Sequence, residues 1–427
     1  MSEYFRDTLG NGLRVITVEM PHLHSCEMAC YVDVGSRHET PELAGICHFL
    51  EHILFRGTAD YPESYRLERA FEALGGAVNA STDSECTCFH SRLHPRHVRE
   101  GAALFASMLC RPLFSELEME RQVIMEEALE ELNEQGEDIS PDNLSARLLW
   151  PGHPLSLPTL GTRDSIARIG EEDLRRHHAA FFTPARTVLA VAGRVSRSDV
   201  VAAAESAFGA WGAAAAHESP PEPPPQPPVS PATCWVRDSD SQINMQLAFS
   251  LPGRGDPRTI DLRVLRWILS WGGASRLMLR LREKLGLTYS AEANLALFAD
   301  CGCLSIDMAL APAKLVPAVK ETIAIIEELR NELVGSEELE GVVQAFLFDL
   351  DFNRDHVEAA TARFGWGEMA AYLRTSEQDR REVAGVTPER LRETARALLG
   401  PQLRKAVVVG PYRPEDRDRV ERLLAGD

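Results

Sequence analysis

Three residues in the first part of the chain have the types and spacing to hold and use a metal ion. His48, Glu51 and His52 lie in the apolar run Gly45-Ile46-Cys47-His48-Phe49-Leu50-Glu51-His52-Ile53-Leu54-Phe55. On a helix, positions i, i+3 and i+4 share one face, so these side chains point the same way while Phe49, Leu50 and Ile53 pack elsewhere. Two imidazoles four residues apart can ligate one zinc ion. The carboxylate on the same face is placed to take a proton from a metal-bound water. Burying two histidines and a glutamate on an apolar-backed face without a ligand would be costly. The order H-x-x-E-H reverses the commoner H-E-x-x-H zinc-protease motif and is the inverzincin pattern.

A two-histidine site needs a further ligand, and residues 117–132 can supply it. They read as one long acidic helix, with apolar residues at 117, 124, 125, 128, 129 and 132. Glu120 and Glu127 are seven apart and lie on nearly one face, which makes this helix the expected carboxylate donor. Glu118, Glu130, Glu131 and Glu134 read as solvated. His90, His94 and His97, with Pro95 among them, suit neither one helix face nor a tight loop and read as surface histidines.

The elements that must position these residues belong to a two-part chain. At 427 residues, with 44% hydrophobic and 26% charged residues, the sequence predicts a soluble globular protein of two to three domains. No apolar run is long enough to span a bilayer, and the first residues lack the layout of a signal peptide. The expectation is a cytoplasmic protein with no membrane partner. Nine cysteines without framework spacing fit reduced thiols. The C-x-C pairs Cys86/Cys88 and Cys301/Cys303 read as buried small side chains rather than a metal site. A net charge of −19 argues against nucleic acid and favours neutral or basic partners.

Strand patterns at 13–18 and 28–34 precede the motif helix. A second amphipathic helix, 65–74, stops at Gly75-Gly76, and extended chain follows at 78–82 and 86–90. A buried strand at 187–193 leads into a helix at 198–208. The segment PPEPPPQPPVSP can form neither helix nor central strand and marks a stiff linker. The division is therefore 1–216, a proline-rich linker 217–232, and 233–427. The second half repeats the plan of the first: strands at 234–236 and 243–249, a helix at 260–269, Gly272-Gly273, and further strands to Met308. Strand 405–410 followed by helix 415–424 matches 188–193 followed by 198–208. The expected fold class is α+β, with two tandem, related α/β-roll domains, each an antiparallel-rich sheet with helices packed on it. The second half has no equivalent of His48-x-x-Glu51-His52, so one metal site per chain is expected.

Taken together, these stretches resemble the pitrilysin, insulysin and mitochondrial processing peptidase family, in particular its short members. The likeness runs along the whole chain. It is carried by His48-Phe49-Leu50-Glu51-His52-Ile53-Leu54-Phe55-Arg56-Gly57-Thr58, by Gly75-Gly76-Ala77-Val78-Asn79-Ala80-Ser81-Thr82, and by Glu120-Arg121-Gln122-Val123-Ile124-Met125-Glu126-Glu127. The resemblance implies that the third zinc ligand is the glutamate 75 residues beyond His52, which is Glu127, with Glu126 as runner-up and Glu120 assisting behind the ligands. In the second half, Leu281-Arg282-Glu283-Lys284-Leu285-Gly286-Leu287-Thr288-Tyr289 is similar to the family's arginine and tyrosine seven apart. It implies that Arg282 and Tyr289 bind the substrate carbonyl and stabilise the oxyanion. Cys47 and Met125 depart from the family pattern without removing a catalytic group.

The reading that follows is a zinc metalloendopeptidase with one Zn2+ per chain. His48, His52 and Glu127 are the ligands and Glu51 the general base. Asn79, Ala80, Ser81 and Thr82 form the strand that pairs with the backbone of an extended peptide substrate. The family's chamber implies two-fold pairing, as a homodimer or as a heterodimer with a related subunit. The competing reading is a non-catalytic peptide-binding or assembly subunit of a larger complex.

Overall fold

A computed structural model describes residues 3–212, 222–225 and 232–426. Most of the proline-rich linker 217–232 lies outside the described residues. The chain forms two compact units, Met1–Ala128 with Leu157–Glu222 and Leu350–Thr375, and Leu129–Ser156 with Pro223–Asp349 and Ser376–Asp427. These units cut across the sequential division into 1–216 and 233–427: each takes one segment from the other half of the chain.

The first unit is built on a six-stranded sheet of β1 (Phe5–Thr8), β2 (Arg14–Glu19), β3 (Cys26–Val32), β4 (Val78–Thr82), β5 (Thr87–Leu93) and β6 (Thr187–Gly193). Their order is β1-β2-β6-β3-β5-β4. Only β2 and β6 run parallel; the other pairs are antiparallel. Alternation along β3 sends Cys26, Met28, Cys30 and Val32 into the main core, against helices α1 (Ile46–Leu54), α2 (Ser64–Glu72) and α3 (Val98–Cys110). Helix α4 (Leu117–Leu129) adds Ile124 to the same core. Ala29 and Tyr31 face the opposite way, onto Val357, Ala360, Phe364 and Met369. This is the physical reason that 350–375 belongs here: a mixed sheet with apolar residues on both faces needs a cover on each. The cover lies close, since a Cβ on Gly365 would stand 2.5 Å from the Ala190 Cβ.

The second unit repeats that topology, among the described residues without a counterpart of β1. Strands β7 (Ala232–Val236), β8 (Ile243–Pro252), β9 (Thr288–Leu297), β10 (Cys301–Leu310) and β11 (Arg404–Val409) are ordered β7-β11-β8-β10-β9, again with one parallel pair, β7 and β11. Helix 259–270 packs near β9. On β8 and β11 lies helix 141–149, with Leu144 against Val407 and Val409, and Leu149 and Trp150 near Ala248. The strand order supports duplication, and 141–149 covers its sheet as 357–369 covers the other. Among the described residues no helix is long and apolar enough to cross a membrane.

Candidate metal centre

The helix that carries the motif begins where only glycine fits. Gly45 takes φ +88, and a Cβ there would meet the Leu160 carbonyl oxygen at 2.7 Å. With no side-chain cap available, the buried Glu39 carboxylate accepts the N–H groups of Gly45 (2.7 Å) and Cys47 (2.8 Å). A carboxylate complements the positive end of the helix. Burial nevertheless pushes the Glu39 pKa up to about 7, against the pull of those backbone hydrogen bonds. Phe49, Leu50, Ile53 and Leu54 are fully buried in the core, each stabilising the fold by roughly 1.5–3 kcal/mol. On the opposite side Cys47 Sγ lies 3.3 Å from the buried His177 Nε2.

The remaining face of α1 presents His48, Glu51 and His52. The two Nε2 atoms are 3.2 Å apart, and the Glu127 carboxylate from α4 lies 3.7 Å from each. These three ligand atoms all fall within 4.8 Å of one another, the one such group of three among the described residues. Glu126 is exposed and outside it. Two ligand atoms on one tetrahedral zinc stand roughly 3.3 Å apart, so the donor set fits a zinc ion. The orientation of the histidines fits too. His52 Nδ1 donates to Glu120 at 2.8 Å, which turns Nε2 towards the site; the same carboxylate raises the His52 pKa, so a metal binding there would displace a proton. Burial, with the neighbouring His52 charge, lowers the His48 pKa to about 4, so its imidazole is neutral, as ligation requires.

Glu120 is itself held. It is 1% exposed and ion-paired with Arg56, which also lies 3.5 Å from Glu116. Burial would raise the Glu120 pKa, but the His52 hydrogen bond and the Arg56 charge overcome it and the net shift is downward. Burial would lower His52, but the Glu120 hydrogen bond reverses that and the net shift is upward. The sequence motif contained Arg56 without revealing its task. The available signal was a cation at the end of an otherwise apolar helix, opposite an acidic one.

Glu51 is not among the converging ligands. It is buried, which raises its pKa, while a hydrogen bond from Thr82 opposes the rise. Strand β4 forms the edge of its sheet, with Asn79 and Ser81 exposed and Ala80 and Thr82 half-buried. In the second unit, Arg282 lies in a π-helical segment, Met278–Lys284, and Tyr289 at the start of β9 is 81% exposed. The Arg282 guanidinium stacks 4.8 Å from the Tyr289 ring centre. The pair thus occurs as a unit, on the surface rather than in the core. Of the three histidines read as superficial, His90 instead bonds the buried Glu27 at 2.8 Å.

Residues 14–163 match the family described as insulinase (peptidase family M16), and 168–346 match the peptidase M16 inactive domain. An uncharacterized zinc protease of Mycobacterium tuberculosis is 31% identical over 95% of this chain and 93% of its own length. The uncharacterized zinc protease YmxG of Bacillus subtilis is 30% identical over 92% of this chain and 95% of its own. Among solved structures, a protease from Helicobacter pylori has the same fold, with a TM-score of 0.88 at 21% identity, covering 96% of this chain and 99% of that one. The periplasmic protease PqqL from Escherichia coli matches all of this chain with half of its own, at a TM-score of 0.79 and 18% identity. Matched along nearly its whole length by relatives at 30% identity or more and by both family models, the chain belongs to peptidase family M16, the insulinase family.

Proposed function

We propose that this protein is a zinc-dependent metalloendopeptidase that cleaves extended peptides, with one zinc ion per chain held by His48, His52 and Glu127. The observation that carries the reading is the convergence of those three ligand atoms on the helix that also bears Glu51. When bound, zinc supplies Lewis acidity, making a water molecule acidic at neutral pH and polarising a carbonyl oxygen. Glu51 takes the proton from the attacking water and delivers it to the leaving amine. Its burial supports this role, because a raised pKa brings a carboxylate nearer to working pH. Glu120 and Arg56 hold His52 in its ligating tautomer.

The exposed edge of β4 accepts the peptide backbone as an added strand, which favours extended substrates with little side-chain dependence. Arg282 and Tyr289 donate hydrogen bonds to the substrate carbonyl oxygen as negative charge develops. We assign the pair to a homodimer, in which a second copy supplies it, or to a heterodimer with a related subunit. Mixed dimers of the inactive variants Glu51→Gln and Arg282→Ala then regain activity, whereas none returns if the pair acts only within its own chain. The reading needs neither nucleic acid nor membrane and is compatible with a cytoplasmic location.

Zinc content tests the ligand set. Elemental analysis of the purified protein should give about one zinc per chain, falling to near zero in His48→Ala and sharply in Glu127→Gln. Full retention of zinc in both variants would put the metal elsewhere; retention in Glu127→Gln alone would move the third ligand to Glu126.

A further inference from the structure

The Glu51 carboxylate accepts one hydrogen bond among the described residues, from Thr82 Oγ1 at 2.5 Å. The donor stands at the last position of β4, where alternation puts Val78, Ala80 and Thr82 on one side of the strand and Asn79 and Ser81 on the other. Val78 and Ala80 pack against the main core, so the Thr82 side chain faces inward, towards α1. Its backbone is fixed by pairing with Thr87 and by the turn that follows, where Asp83 N–H bonds the Cys86 carbonyl at 2.8 Å and the Asp83 carboxylate accepts from Glu85 and Cys86. A β-branched side chain on a fixed backbone has few rotamers. The hydroxyl is therefore a rigid donor aimed at a carboxylate whose own last torsion is soft.

We propose that Thr82 is a positioning residue for the general base: its hydroxyl locks one carboxylate oxygen of Glu51 and leaves the other oriented towards the attacking water. This deepens the peptidase reading above and rests on it. It also gives one short strand two tasks on its two sides. The free edge of β4 is offered to the peptide backbone, while its inward face holds the base. A peptide that pairs along β4 is thereby registered against the group that activates the water, through a single residue of the same strand.

The test compares Thr82→Val, which keeps the shape and removes the donor, with Thr82→Ser, which keeps the donor, using an unstructured peptide. Charge-assisted hydrogen bonds are strong enough that losing this one should lower kcat roughly 10-fold or more. KM, zinc content and melting temperature should stay near wild type in Thr82→Val, and Thr82→Ser should recover most of the rate. Adding Thr82→Val to Glu51→Gln should cost nothing further, since no base remains to be oriented. If Thr82→Val disturbs folding, Thr82→Ala and Thr82→Ser provide the same comparison. The inference is overturned if Thr82→Val keeps kcat within twofold of wild type while Glu51→Gln is inactive. It is also overturned if Thr82→Ser is as impaired as Thr82→Val, or if only KM or zinc content moves. Full activity in Glu51→Gln would instead overturn the peptidase reading beneath it.

Discussion

Glu51→Gln should keep its zinc and its fold and lose peptide hydrolysis by a factor of about 10² or more. Glu51 lies beside the converging ligands without being one of them, so removing its charge leaves the three donor atoms in place. The amide is isosteric, and its oxygen can still accept the Thr82 hydroxyl, so the side chain keeps its anchor. What disappears is the ability to take up a proton, and kcat should carry the loss while KM moves little. Elemental analysis, circular dichroism and steady-state kinetics on one preparation separate these effects. Loss of zinc or of fold in Glu51→Gln would mean that the carboxylate serves the structure rather than the chemistry.

Arg56→Met should weaken the zinc site as well, through a residue that touches no metal ligand directly. Arg56 neutralises a glutamate that is 1% exposed and that orients His52. Removing Arg56, itself about a quarter exposed, leaves the buried Glu120 with His52 as its remaining partner, at a cost of roughly 1–3 kcal/mol. Glu120 then either stays charged at that cost or takes up a proton, and in both cases its hold on His52 weakens. Disturbing a carboxylate behind a metal-bound histidine typically costs 10–100-fold in metal affinity. Zinc competition titration should therefore give an affinity lower by about that factor, together with a lower melting temperature, and Arg56→Lys should recover part of both. Unchanged zinc affinity in Arg56→Met would show that Glu120 orients His52 without help.

What could be read from the sequence follows from the range of the interactions involved. His48, Glu51 and His52 share a face because of local helix geometry, and periodicity reports that directly. Glu120 and Glu127 were visible for the same reason, although the helix ends at Leu129 rather than at 132, where an isolated bridge from Leu132 to Asp138 takes over. The repeated plan of the two halves was legible in the order of strands and glycines, and the matching sheet orders agree with it. The exchange of covering segments was not. Helix 141–149 packs on β8 and β11, and nothing in its own periodicity says which sheet it will cover. The same holds at atomic scale. Glu39 capping α1, Cys47 against His177, and Thr82 on Glu51 are contacts between elements, set by packing rather than by spacing. In the strand read as a substrate edge, the alternation that turns Thr82 inward was available from the pattern. Its partner on the helix was not.

The most direct test of the central claim is hydrolysis of a broad library of unstructured peptides by the wild-type protein, read by mass spectrometry with and without zinc. The account predicts cleavage at internal bonds that stops when zinc is removed by a chelator, returns when zinc is restored, and is absent in Glu51→Gln. A folded, zinc-loaded protein that binds peptides from the library and cleaves none would contradict it, and would make the chain a non-catalytic peptide-binding or assembly subunit.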